Sequence, residues 1–378
     1  MFRNLWVILL LGICLFQGCQ NRGEAPDKAS TQQAQKLFRE AVDLSKKKDY
    51  PRALQYYDRS LALEPRNLTA WYNKGIILAE ENRPQEALLC CNRALQLQPD
   101  RGEFWALKGR SLQLQGKHLE ALKCFDRAFK LNPDQEAVVL AYKGMTLQKL
   151  GRYPEALDYL DRSLKKDPRQ AGVWLSRAIT LEIMGKDSQA QESYAKTLRL
   201  YPNNAYAWQR KADSLAMLGK PGEALKCYDR AIALQPKKAL FWASKAWFLY
   251  SRGENAQALV LCNHALKLNP DYAYAWEMKG KLQDLLGQPE DALLSLDRAL
   301  KIDPRDFPVW TCKAAILTRL KQYPQALACC NQALKINPKD AQSWEDKANL
   351  LSQMGKSGEA RQCLKRAQNL LKNQSAEK

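Results

Sequence analysis

A proline recurs down this chain at Pro65, Pro99, Pro133, Pro168, Pro202, Pro236, Pro270, Pro304 and Pro338, a step of 34 residues broken once by a step of 35 around Ala137. Alanines keep the same beat at Ala53, Ala87, Ala121, Ala156, Ala190, Ala224, Ala258, Ala292, Ala326 and Ala360. A fixed period of this length is the mark of a repeat array rather than of separate globular domains. Ten units run from about Ala34 to Gln374.

One unit, Ala70 to Pro99, reads as a helical hairpin. Trp71, Gly75 and Leu78 are spaced four and three apart, which puts them on one helical face. The small residue at Gly75 lets a second helix approach closely. Asn82, or a glycine such as Gly116 or Gly219 in most other units, suits the positive φ that ends a first helix. Pro84, Pro221 and Pro289 fit the first turn of the second helix, where a backbone donor is not needed. Ala87, Cys91 and Ala94 form that helix's inner face, and Pro99 stops it. The fold class predicted is all-α, with about twenty short antiparallel helices.

This succession of Trp, Gly or Ala, Leu or aromatic, Ala, aromatic, Ala and Pro resembles the tetratricopeptide repeat family over most of the chain. The resemblance implies a right-handed α-solenoid of about ten hairpins. The units expected are 34–67, 68–101, 102–136, 137–170, 171–204, 205–238, 239–272, 273–306, 307–340 and 341–374, with a tail at 375–378. The resemblance also implies that first helices line a concave groove for an extended or helical partner segment.

Two columns depart from a plain pattern. The residue before the small Gly or Ala, commonly Leu in that family, is basic here: Lys74, Lys108, Lys143, Arg177, Lys211, Lys245, Lys279, Lys313 and Lys347, with Glu40 in the first unit. A second column reads Asp58, Asn92, Asp126, Asp161, Ala195, Asp229, Asn263, Asp297, Asn331 and Lys365. The array lacks the base at its start and the acid or amide at its end. That is the pattern expected if each acid or amide meets the base of the next unit, against the alternative of two solvated columns. On the ladder reading much of the net charge of +19 is structural. That argues against nucleic acid as the partner, which remains the alternative function, or an anionic surface, for a soluble basic repeat protein.

Carrying the family geometry over, the groove of units six to eight would present Tyr206, Arg210, Asp213, Leu240, Trp247, Tyr250, Tyr274, Met278 and Lys281. Trp247 and Tyr250 are additional to Trp242, which takes the usual core position. Such rings suit an apolar or aromatic segment, because aromatics bury a large area at low entropy cost; packing against neighbouring repeats is the other reading. The family's clamp for chaperone C-terminal carboxylates is not matched: Asn73 fits, but its companions are Val42 and Glu103.

Nothing points to catalysis, a cofactor or a metal. Only His118 and His264 are present, and there is no Gly-rich phosphate loop, no H-E-x-x-H and no spaced C-x-x-C pair. The vicinal pairs Cys90–Cys91 and Cys329–Cys330 fall on second helices, where small buried core fillers are expected.

The N-terminus carries a different signal. Leu5 to Phe16 is mostly apolar, follows Arg3, and is shorter than the roughly 20 residues of a bilayer span. It fits the h-region of an export signal. Gly18 directly before Cys19 resembles the bacterial lipoprotein signal, which implies a signal over 1–18 and lipidation of Cys19, although Phe16 and Gln17 depart from the residues usual there. Residues 19–33 would be a flexible polar tether. The expected location is the bacterial cell envelope, anchored to a membrane by lipid; secretion or the cytoplasm are the alternatives. Of 11 cysteines, Cys14 and Cys19 set aside, an odd nine remain without disulfide spacing, a usage commoner in reducing compartments.

Overall fold

The computed structural model describes residues 28–132 and 136–376, and within them the chain is all α-helical, as expected: twenty helices pair into ten hairpins. The chain divides into two compact bodies between Asn203 and Asn204. The first holds five hairpins, from α1 (Lys28–Lys46) and α2 (Tyr50–Leu63) to α9 (Ala171–Ile183) and α10 (Asp187–Leu200). The second runs from α11 (Ala205–Met217) and α12 (Pro221–Leu234) through α13 (Ala239–Ser251), α14 (Asn255–Leu268), α15 (Ala273–Leu285), α16 (Pro289–Ile302), α17 (Phe307–Arg319), α18 (Tyr323–Ile336) and α19 (Ala341–Gln353) to α20 (Ser357–Ala376). The leading helix begins at Lys28, six residues ahead of the first unit expected from the repeat, so 28–33 is helical and not part of a flexible tether. The signal segment and Cys19 lie outside the described residues. Among the described residues no helix is long and apolar enough to cross a membrane.

Each hairpin is built from the features that mark its sequence. At Gly109, Gly144 and Gly280 a Cβ would come within 2.6, 2.7 and 2.8 Å of Phe125, Leu160 and Leu296 on the second helix, so the small residue is what allows the two helices to close. The turn between them puts one residue in the left-handed region. Glycine takes that place in seven hairpins, from Gly116 at φ 78° to Gly355 at 74°, while Lys48, Asn82 and Lys321 take it in the other three. Inner faces are apolar and closed. Ala87, Ala121, Ala156, Ala224, Ala258, Ala292 and Ala326 are all 0% exposed, and Leu160, Phe125 and Leu296 fill the space they leave.

The ladder forms wherever the acid is present. Asp58 pairs with Lys74, Asp126 with Lys143 at 2.6 Å, Asp161 with Arg177 at 2.6 Å, Asp229 with Lys245 at 2.5 Å, and Asp297 with Lys313. Each base is largely covered, 13–21% exposed, while its acid is 48–60% exposed, so the stems pack and the heads meet at the surface. Among the described residues the asparagines do not complete a rung. The bases at these positions still lie over a ring: Lys108, Lys279 and Lys347 are 5.3, 5.1 and 5.4 Å from the rings of Trp105, Trp276 and Trp344. Lys74, Arg177, Lys211 and Lys313 sit over Trp71, Trp174, Trp208 and Trp310 in the same way. The indole of each such helix is fixed from its other end. Trp71, Trp105, Trp174, Trp276, Trp310 and Trp344 donate Nε1–H to the carbonyl of the period-marking proline six residues earlier, at 2.8–3.0 Å. Base, tryptophan and proline therefore form one device repeated along the array, and the base column is engaged rather than displayed.

The nine cysteines among the described residues are free thiols, all buried except the partly covered Cys312. Burial pushes Cys90 up to about 11 and Cys262 up to about 12, so little thiolate forms near neutral pH. The expectation of small core fillers holds for the vicinal pairs, both of whose members are buried.

Candidate functional site

The face made by first helices α11, α13 and α15 lies entirely within the second body. It carries an open hollow of about 600 Å³ lined by Asp213, Ala216, Met217, Tyr228, Leu240, Ser244, Trp247, Phe248, Ser251, Tyr272 and Tyr274. Its rings come from first helices α13 and α15, from Tyr272 at the cap of α15, and from Tyr228 on second helix α12. Trp247 is 46% exposed and Tyr274 38%, and their ring centroids lie 6.4 Å apart. Tyr250 stands 5.4 Å from Trp247 on the same helix, and Tyr272 stands 6.0 Å from Tyr274. These separations are those of tilted aromatic pairs in contact.

Asp213 forms the polar side of the hollow. Tyr228 donates its hydroxyl to Oδ1 at 2.6 Å, Gln209 donates to Oδ2, and the Arg210 guanidinium lies 3.7 Å from Oδ2. The carboxylate is thereby held in place on α11. Burial, then the Asp213 charge and hydrogen bond, push the Tyr228 hydroxyl far above its ordinary value, so it remains a donor. Tyr274 is pushed up as well, by burial first and then by Tyr272 and Glu277. Farther along α15, Lys281 bonds the buried Glu277 at 2.5 Å. Burial is the largest influence and works against the ammonium charge, but the hydrogen bond and charge of Glu277, with smaller contributions from Cys312 and Tyr250, together outweigh it and the Lys281 pKa is raised.

Of the groove residues expected from the sequence, Asp213, Leu240, Trp247 and Tyr274 line the hollow. Tyr250 flanks it through Trp247, Arg210 supports it through Asp213, and Tyr206 is partly buried at the start of α11 outside it. Lys281 is committed to Glu277. Met278 is a correction. At 2% exposure it belongs to the core with Phe248, Cys262 and Leu282, because a long unbranched thioether can turn inward from a position whose register faces the groove. Three lining rings, Phe248, Tyr228 and Tyr272, are not among the residues expected from the repeat, and Phe248 is a core residue packed with Tyr228. Tyr228 takes a core position, where only its need for a hydroxyl partner marks it. Tyr272 is the N-cap residue of α15, where Asn67, Asn204, Asp306 and Asp340 cap other first helices with side-chain bonds. A tyrosine in a capping position is a departure legible in the sequence. Elsewhere, Glu103 pairs with Arg101, so the residue at a clamp position is engaged internally.

Repeated hairpins with an open first-helix face define a helical-repeat scaffold. Models of the tetratricopeptide repeat match residues 32–102 and 143–205, 100–169, 205–238 and 307–340, 249–316, and 329–362. The chain belongs to the tetratricopeptide repeat family, a family of protein–protein interaction scaffolds. No curated protein sequence matches it. Among solved structures it is similar to the APC/C hetero-tetramer Cut9–Hcn1, at 15% identity and a TM-score of 0.55, over 84% of this chain and 76% of that one. It is also similar to a tetratricopeptide repeat protein from Parabacteroides merdae, at 19% identity and a TM-score of 0.51, over 67% of this chain and 99% of that one. At these identities the likeness is one of fold.

Proposed function

We propose that this chain is a non-catalytic scaffold that holds a segment of a partner protein against the first helices of its sixth to eighth repeats. The observation that carries the reading is Trp247, 46% exposed at the edge of a hollow of about 600 Å³. An exposed indole beside an exposed tyrosine in a concavity is the arrangement that supplies binding energy at protein interfaces. The test is capture of partners from a lysate by tagged wild-type chain and by the Trp247→Ala/Tyr250→Ala variant, quantified protein by protein. Partners enriched by wild type should be lost from the variant while its thermal melt is kept. Equal enrichment by both would move the binding face elsewhere.

The scaffold is proposed to be tethered to a membrane of the cell envelope through lipidated Cys19, with 1–18 removed as a signal. Support comes from the short apolar run and from Gly18–Cys19. The free thiols do not oppose export, since all but Cys312 are buried and thiolate is the form that oxidises. Mass spectrometry of the membrane fraction tests it: a diacylated or triacylated N-terminal Cys19 is expected, and an unprocessed, unmodified N-terminus overturns it.

A further inference from the structure

The chain itself shows how its indoles are used. In the repeat column a base of the same helix lies over each of seven rings, as Lys279 does over Trp276 at 5.1 Å. Trp247 lies outside that column. Among the described residues no base lies over its ring, and its neighbours are the rings of Tyr250 and Tyr274. The hollow it borders is lined by aromatic residues and a single charged one, Asp213. Of the nearby bases, Arg210 and Lys281 are engaged with Asp213 and Glu277, and Arg252, paired with Glu254, lies 5.8 Å from the ring of Phe248. None of the three lines the hollow, and the rings of Trp247, Tyr272 and Tyr274 are left to an incoming cation.

Resting on the reading of this face as a binding site, we infer that the hollow between α11, α13 and α15 is an aromatic box for a cation: an arginine or lysine side chain displayed by the partner's peptide segment. The ring faces of Trp247, Tyr272 and Tyr274 present negative π density, and a cation within about 6 Å of such a centroid gains roughly two- to thirtyfold in affinity, depending on how far it is desolvated. Asp213 selects the same sign of charge. Asp213 is shared with Arg210 at 3.7 Å and is still 27% exposed, so a purely apolar occupant would bury its remaining exposed part without offering a hydrogen bond, which costs binding free energy. The surroundings of Tyr274 agree: after burial, Tyr272, Glu277, Cys262 and Asp213 all push its hydroxyl up. Long-range attraction plays no part, because a net charge of +19 repels a basic segment until the local box is reached.

The experiment uses the full chain labelled with 5-fluorotryptophan, the Trp247 fluorine resonance being assigned by its loss in Trp247→Phe. N-acetyl-argininamide, its neutral isostere N-acetyl-citrullinamide and N-acetyl-leucinamide are titrated in turn. The expected result is a saturable shift of the Trp247 resonance with the arginine amide, at an affinity at least about fivefold above either neutral amide. Asp213→Asn and Tyr274→Leu should each narrow that preference, with the other tryptophan resonances in place as a check on the fold. Equal response to all three amides, or preference for leucine, overturns the cation box while leaving a binding face there. No response to any of them overturns the box as well. Failure of the Trp247→Ala/Tyr250→Ala variant to lose partners in the capture experiment is a separate result, and that one removes the binding face itself.

Discussion

Both bodies place aromatic residues on first helices, and outside the shared tryptophan column Tyr142 in the first and Trp247 in the second are used in opposite ways. In the first body Tyr142 is 7% exposed, stacked on Phe125 at 5.5 Å, with the Arg110 guanidinium 5.9 Å from its ring. Tyr72 is likewise set edge-on to Phe104 at 5.7 Å. In the second body Trp247 and Tyr274 are exposed, and the cation is missing from the arrangement. Tyr142 is thus supplied internally with the kind of contact that Trp247 leaves open, although elsewhere the second body supplies it too, as Lys279 does over Trp276. Aromatic count is therefore a poor guide to a binding face in a repeat array. What matters is whether the same helix or its neighbour already occupies the ring.

The comparison assumes that the two bodies have equivalent cores, and the largest predicted effect checks this. Leu160 in the first body and Leu296 in the second are both 0% exposed against a helix-closing glycine. Leu160→Ala and Leu296→Ala should each cost about 2–5 kcal/mol, read as a shift of the denaturant midpoint. A loss confined to one of them would mean that the bodies differ in core packing and not only in surface. Next in size is binding. Trp247→Ala should weaken partner capture by about tenfold or more, as truncation of an interface anchor does, whereas Arg110→Ala should leave it unchanged. Equal losses would put both faces in the interface and end the distinction.

The fold was legible because its signals repeat. The proline column marks helix ends, the small column marks helix closure, and Asn82 and Gly116 mark turns whose positive φ was foreseeable and is found at 58° and 78°. The ladder was legible for a similar reason, since the departures at Glu40 and Lys365 fall at the two ends. Its asparagine positions were not: amide and carboxylate share a column, but an amide lacks the charge that brings the heads of Lys74 and Lys313 onto their acids while the bases stay over their tryptophans. The site was readable in part. Register locates Trp247 and Tyr274 on the right face, yet Met278 occupies an equivalent position and turns into the core. Its flexible side chain answers to local packing, which periodicity does not encode. The partnership of Tyr228 with Asp213 joins a second helix to a first helix 15 residues back, and no spacing rule announces it.

The turns sharpen the comparison at a smaller scale. Lys321 adopts φ 61° where Gly287 and Gly253 hold the same place in the second body. A β-carbon in the left-handed region is disfavoured, while glycine's added chain entropy offsets part of the gain. Lys321→Gly should therefore stabilise by about 0.5–1 kcal/mol. Asn82→Gly in the first body should gain less, because asparagine tolerates that conformation. Equal gains would show that turn strain is set by the hairpin and not by the residue.

The smallest effect concerns the rungs, which occur in both bodies and so should not distinguish them. A double-mutant cycle on Asp229 and Lys245 should give a coupling of at most about 1 kcal/mol, because an ion pair with one half-exposed member gains little in water. The cycle on Asp161 and Arg177 in the first body should match it within error. The same cycle on Asn263 and Lys279 should give none, and Asn263→Asp should install a rung with the coupling of Asp229. High salt should reduce the aspartate couplings and leave the asparagine pair unmoved. If the asparagine pair couples as strongly as the aspartates, side-chain packing rather than charge holds the column together. The bases would then be fixed by their tryptophans alone, and the acid column would be a solvated face that happens to lie alongside.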